Sequence, residues 1–262
     1  MTYPVPKKIR ATQTVHGHLL EDDYAWLREK ENPEVRAYLE SENRLSEEWL
    51  SAHRREVDKV YEELLSRIQE TDYSAPEKEG RYYYYLRTVK GGQYPIYCRA
   101  ESESMEDELV LLDGNAESKG KTFFDIGCIE VSRCDRYLCY GIDEDGSEEY
   151  LLQIKDLQSG RLMTEQITCA GTSVEWTEAS GFYYTRLSST KRPYQVYYHK
   201  LGTAQEQDTL IYEENDEAYF VDLNRTKDRQ FIIIESVSKT TSECRILPCA
   251  EMSPEPELFQ KR

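Results

Sequence analysis

Short runs rich in Tyr, Ile, Val and Phe, separated by Gly, Asp, Ser and Asn turns, recur from residue 80 onward, and this recurrence limits the fold more than any other feature of the chain. Residues 80–87, 94–99 and 109–113 make one unit, 135–140 and 150–155 the next, 181–186, 194–199 and 209–212 a third, and 228–234 and 243–247 a fourth. Unit starts at 80, 135, 181 and 228 are 55, 46 and 47 residues apart, close to the roughly 40 to 50 residues of one four-stranded propeller blade. Each unit keeps the same order: a turn, a Tyr-rich strand, a second Tyr-led strand and often a Leu-rich third. A single antiparallel sandwich with evenly spaced hairpins is the competing fold, and it offers no reason for that order to repeat. Residues 248–262, with Ser253, Pro254 and Pro256, read as the outer turn and last strand of the fourth unit, and a fifth unit is expected to begin where the chain stops.

Ahead of the repeats lies a different period. Asn32 can cap a helix, Pro33 suits its first turn, and neither Gly nor Pro recurs before Pro76. Apolar residues from Val35 through Leu39, Trp49, Val57, Tyr61 and Leu64 to Ile68 fall three or four apart, which predicts one long helix or two stacked ones with a face that needs burial. Residues 1–75 therefore read as an extended segment and helical arm, and 76–262 as the strand-rich domain.

A net charge of -17 opposes binding to nucleic acid or to anionic membrane and favours cationic partners such as Lys- and Arg-rich peptides. Solubility alone is a competing reason for surplus acid. Seven cysteines, an odd number without a Cys-x-x-Cys pair, suggest reduced thiols and a cytoplasmic setting. The opening residues lack the apolar run of a signal peptide, and no stretch approaches the roughly 20 apolar residues of a membrane span.

Two segments carry a family resemblance. Pro6-Lys7-Lys8-Ile9, His16-Gly17 and the D-x-Y-x-W-L block of Asp22, Tyr24, Trp26 and Leu27 resemble the opening of the prolyl oligopeptidase family of serine peptidases. The pairing of Lys-Lys-Ile with His-Gly is more similar to its oligopeptidase B branch. Asp145-Gly146-Ser147-Glu148-Glu149-Tyr150, continuing to Gly160, resembles the second blade of that family. The resemblance implies a mainly β fold, a partial seven-bladed β-propeller of about four blades preceded by an N-terminal α-helical arm. It implies further that the propeller acts as a lid over an α/β-hydrolase domain, that the whole enzyme cleaves short peptides after Lys or Arg, and that no cofactor takes part. The arm is implied to pack against the hydrolase domain.

Catalysis by that route needs a serine in a G-x-S-x-G turn, followed by an acid and a histidine. Gly171-Thr172-Ser173-Val174-Glu175 is the nearest text and lacks the second Gly, so no catalytic residue is assigned and the chain alone is expected to be inactive. His16 and His18 stand near Glu21, Asp22 and Asp23, an H-x-H pattern that suits a metal, although the resemblance places them in a structural arm; no metal site is assigned. His53 and His199 read as packing or surface residues. Gly91-Gly92 lacks the spacing of a phosphate loop and reads as a hairpin turn.

The densest acid lies at Asp143, Glu144, Asp145, Glu148 and Glu149, and its spacing is not that of an EF-hand. A solvated hairpin turn explains it. The functional alternative makes Asp143, Asp145, Glu148 and Glu149 substrate-gating or domain-interface residues, attracting basic peptides or pairing with an arginine of a hydrolase domain, with Glu148 foremost by resemblance. A free-standing propeller-like module that binds basic peptides or proteins is the alternative function. Four blades cut for a seven-fold ring cover roughly 205°, leaving blade faces through which such a chain is expected to self-associate. A third alternative, hydrolysis by a pair of Asp or Glu residues, finds no pair in a setting that raises a pKa.

Overall fold

The computed structural model describes residues 3–178, 181–250 and 255–262. The chain forms two compact units, Met1–Gln69 and Glu70–Arg262.

In the first unit, β1 (Ala11–Val15) and β2 (His18–Asp22) form a hairpin. Its two turn residues, His16 and Gly17, both have positive φ, as a tight two-residue hairpin demands. Trp26 is buried and its indole N–H donates to the Lys7 carbonyl at 2.9 Å, which ties the extended segment to the motif that follows. Asn32 caps α1 (Pro33–Ala52) by accepting from the Glu34 amide. α2 (Arg54–Leu65) follows after a break at His53, which no Gly or Pro marks. The His53 ring stacks on Trp49 at 4.3 Å, and its Nδ1 lies 2.8 Å from the Trp49 carbonyl, so a local side chain competes for the helical backbone. The apolar stripe forms but is not covered: Leu39, Trp49, Leu50, Val57, Val60, Tyr61, Leu64 and Ile68 are exposed.

The second unit begins with a four-stranded antiparallel sheet, β3 (Glu77–Glu79), β4 (Tyr82–Arg87), β5 (Ile96–Ala100) and β6 (Leu109–Asp113). Then come β7 (Asp125–Val131), β8 (Tyr137–Asp143), β9 (Tyr150–Asp156), β10 (Arg161–Trp176), β11 (Gly181–Leu187), β12 (Pro193–Lys200) and β13 (Thr209–Glu213), hydrogen-bonded in sequence order. The last sheet is β14 (Phe220–Arg225), β15 (Phe231–Val237), β16 (Ser242–Pro248) and β17 (Glu257–Gln260).

The seven-stranded run is two blades sharing one strand. β10 pairs with β9 up to Ala170 and with β11 from Ala170 onward, and the register shifts there. Cys169, just before the change, has φ 56°; this left-handed bulge residue turns one 16-residue strand out of one sheet and into the next. The repeat is thus four sheets of four strands. The sequence repeats at 80, 135, 181 and 228 mark the turn into the second strand of each sheet; the first strands (β3, β7, the end of β10, and β14) precede them. Ser253 and Pro254 of the expected outer turn lie outside the described residues.

Each interior sheet uses both faces, which excludes two face-to-face layers. On β11, Phe182 and Tyr184 enter a core with Leu152, Ile154, Ile167 and Trp176, while Tyr183 between them enters another with Val221, Ile232, Ile234 and Leu247. A third core joins Leu111 and Leu112 of the first sheet to Leu138, Tyr140 and Ile142 of the second. Among the described residues no strand pairing and no apolar core joins the first sheet to the fourth. The ring is open, and the domain is a partial propeller.

Candidate functional site

The acidic turn between β8 and β9 is built around Asp143. Its buried carboxylate accepts from the amides of Asp145 and Gly146 at 2.9 Å and of Glu148 at 2.8 Å. Burial pushes its pKa up, but these amide donors outweigh it and hold the carboxyl below the usual aspartate range. Asp145 accepts from the Ser147 amide, Glu144 meets Lys121 at 2.8 Å, and Glu149 is paired with Lys191. Glu148 differs. Held at φ 61°, it is exposed, and neither a hydrogen bond nor an ion pair is found for its carboxylate among the described residues. Of the four acids singled out from sequence, three are engaged in shaping or bracing the turn and one is presented outward.

Removing the carboxylate of Asp143 orphans three amides at once. Asp143→Ala is expected to lower stability by about 2–3 kcal/mol, read from urea unfolding near neutral pH. Because the folded pKa is depressed, this contribution is complete above the ordinary carboxylate value and fades as pH falls below it, so wild type and variant should converge in acid.

A second cluster escaped the sequence altogether. The four first strands each send one charged side chain to a common point: Glu79 from β3, Glu130 from β7, Glu175 from β10 and Arg225 from β14. Arg225 Nη2 lies 3.4 Å from Glu79 Oε1 and 3.9 Å from Glu130 Oε2, and its Nε lies 3.4 Å from Glu175 Oε2. Arg229 adds a 2.8 Å contact to Glu79. Burial, then the neighbouring Glu175 charge, pushes Glu130 up to about 8 against the pull of Arg225. Burial likewise pushes Glu175 up to about 7, with Arg225 opposing and Glu79 adding to the rise. Here, carboxylates that look unremarkable in sequence are titratable near neutrality. No sequence signal marks them: Glu79 stands in the all-charged β3, Glu175 near the end of a 16-residue strand with other charged residues, and Arg225 in a strand that also carries Asp222 and Asn224.

Among the described residues no hydrolytic set is assembled. The Ser173 hydroxyl donates to Asp222 and has no histidine partner there. His199 and Asp208 do form a 2.7 Å pair, with Tyr184 donating to Asp208 at 2.9 Å, but both side chains are sealed from solvent. His16 lies in the β1–β2 turn and His18 opens β2, and Gly91 makes a left-handed turn between β4 and β5. All seven cysteines are free. Among the described residues no group of three or more His, Cys, Asp or Glu side chains is arranged to hold a metal, and no helix is long and apolar enough to cross a membrane.

Comparison with known proteins places this geometry. Residues 3–262 match the family model described as prolyl oligopeptidase, N-terminal beta-propeller domain. The chain is 32% identical to Protease 2 of Moraxella lacunata and 34% identical to dipeptidyl aminopeptidase BI of Pseudoxanthomonas mexicana, in each case over 94% of this chain and 37% of the relative. It superposes on oligopeptidase B from Leishmania major with a TM-score of 0.90 at 25% identity, over 98% of this chain and 39% of that one. The chain therefore spans less than two-fifths of the length of these relatives.

Proposed function

The chain belongs to the prolyl oligopeptidase family, and from that premise we propose that it forms the lid of an oligopeptidase B-like serine endopeptidase that cleaves short peptides after Lys or Arg. The observation that carries this reading is the open four-blade propeller, which matches the N-terminal domain of full-length peptidases from end to end. The triad then belongs to an α/β-hydrolase domain, and this chain supplies a size filter, a guide for cationic substrate and a docking surface. Two features support that division of labour. The uncovered stripe on α1 and α2, with Trp49 and Leu50 exposed, suits packing against a further domain. The net charge of -17 draws basic peptides by long-range steering.

Within this reading Glu148 is the gating or interface carboxylate, with Asp143 shaping its turn, Asp145 capping the Ser147 amide, and Glu149 braced by Lys191. The 262-residue chain alone should show no turnover of a Lys- or Arg-ended peptide amide. Substituted for the matching segment of Moraxella lacunata Protease 2, it should restore cleavage after Lys and Arg. A chimera that folds yet cleaves only after other residues would overturn the assigned specificity. In an active chimera, Glu148→Gln is expected to raise KM for basic substrates about three- to tenfold and flatten its salt dependence, with kcat little changed.

A further inference from the structure

Among the described residues the first and fourth sheets share no apolar core and no strand pairing. Charge spans them instead. Glu79, at the end of β3, meets Arg225 at 3.4 Å and Arg229 at 2.8 Å, both from the fourth sheet. The second and third sheets bring Glu130 and Glu175 to the Arg225 guanidinium. From the β7–β8 turn Arg133 donates to the Arg229 carbonyl and meets Glu178, past the end of β10, at 3.3 Å. Adjacent sheets, by contrast, are joined by apolar cores, whose strength does not depend on protonation.

Fully ionised, this cluster is short of positive charge. Three carboxylates then face two guanidinium groups, and Arg229 reaches only Glu79. Arg225 comes no nearer than 3.4 Å to any of the three, and Glu175 Oε2 is buried without a hydrogen bond among the described residues. Asp222 on β14 adds a further negative charge near Glu175. The other titratable neighbours do not offset this. Burial raises the thiols of Cys128, Cys139 and Cys249 and the phenol of Tyr84, beside Glu79, so they stay neutral, and Arg133 is engaged by Glu178. With Glu130 and Glu175 protonated, Glu79 alone bridges the two guanidinium groups and the crowding of like charge is gone. Burial is the first cause that places these two acids at about 8 and about 7. Both values lie above the ordinary carboxylate range, so protonation favours the closed arrangement; this contribution is full below that range and is lost as pH climbs through the folded values.

We propose that this cluster is a proton-operated latch across the propeller axis, which holds the first sheet to the fourth while Glu130 and Glu175 carry protons and lets the two draw apart when both are charged. Alkaline solution opens it and acid closes it. The apolar cores between adjacent sheets serve as the hinge, so release at the axis loosens the inner strands without unfolding the blades. β3 and β14 feel it first, since each is hydrogen-bonded along one edge only. The latch lies within this chain and stands whether or not the chain is a lid.

Hydrogen–deuterium exchange of the 262-residue chain tests it, read by mass spectrometry at about pH 6 and about pH 8.5 and corrected for the intrinsic pH dependence of amide exchange. Peptides covering β3–β4 and β14–β15 should lose about tenfold in protection at the higher pH, while β11 keeps its own. Glu130→Gln/Glu175→Gln fixes both groups uncharged and should keep protection high at both pH values. Glu79→Gln removes the carboxylate that the closed state needs and should lower protection at both. Glu106→Gln, exposed in the β5–β6 loop, should follow the parent chain. Equal protection of β3 and β14 at the two pH values, a loss that persists in the double variant, or a parallel loss in β11 each overturns the proposal. Should the double variant fail to fold by circular dichroism, Glu175→Gln alone decides: the latch requires the loss at the higher pH to shrink about threefold or more, and an unchanged loss overturns it.

Discussion

Arg225→Met is expected to lower stability by about 3–5 kcal/mol at pH 8 and by much less at pH 5.5. Among the described residues Arg225 is the one cation in contact with Glu130 and Glu175, and three of the four sheets converge on it through carboxylates. Methionine keeps the volume and leaves those charges facing one another in a desolvated site, with Arg229 reaching only Glu79. The sign of the pH dependence follows from the raised values of about 8 and about 7. An acid whose pKa rises on folding favours the folded state when protonated, so stability is full below the unfolded value and declines as pH climbs toward the folded one. Acidification therefore neutralises the groups that the substitution leaves stranded. Urea unfolding at the two pH values checks this, and a loss equal at both would show that Arg225 acts through packing alone. Glu175→Gln is the converse: at pH 8 it should stabilise by about 1 kcal/mol, since it removes a buried charge that Glu79, Asp222 and Glu130 repel.

Trp176→Ala should cost about 3–5 kcal/mol at any pH near neutrality. Trp176 closes β10 after that strand has crossed between sheets, and it is almost wholly buried. Its ring packs edge-on against Phe182 at 4.9 Å and stacks over Tyr137 at 6.4 Å, and its indole N–H donates to the Glu130 carbonyl at 3.0 Å. One side chain thus bonds the second and third blades by apolar area and by a hydrogen bond. Trp176→Phe separates the two contributions: it keeps most of the ring and orphans the carbonyl, so about 1–2 kcal/mol is expected. Urea unfolding followed by far-UV circular dichroism measures both without relying on tryptophan fluorescence.

The strands visible in the residue pattern are the second and third of each blade, and often the fourth. They read clearly because they alternate large Tyr, Ile and Val side chains between two apolar cores, as Phe182, Tyr183 and Tyr184 do. First strands do not stand out. β3 is three residues of alternating charge with no apolar period, while β14 does alternate Val221 and Leu223 with Asp222 and Asn224, but over only four residues and without the Tyr-rich run that marks the other strands. The helical arm was legible in its cap and its spacing, but its break at His53 was not, because a His–Trp stack four residues apart leaves no Gly or Pro as a sign.

The candidate site divides the same way. Acid density singled out residues 143–149, and no composition could say that Asp143 would turn inward onto three amides while Glu148 faced out. That split depends on a left-handed residue in a turn whose register is set by β8 and β9. The number and order of the blades follow from local alternation, which every strand carries in its own residues. The meeting of Glu79 with Arg225, 146 positions apart, and the crowding of Glu130 and Glu175 around that guanidinium exist only once the sheets are set side by side. Desolvation and like-charge proximity, the two quantities that give those residues their chemistry, have no value in an extended chain.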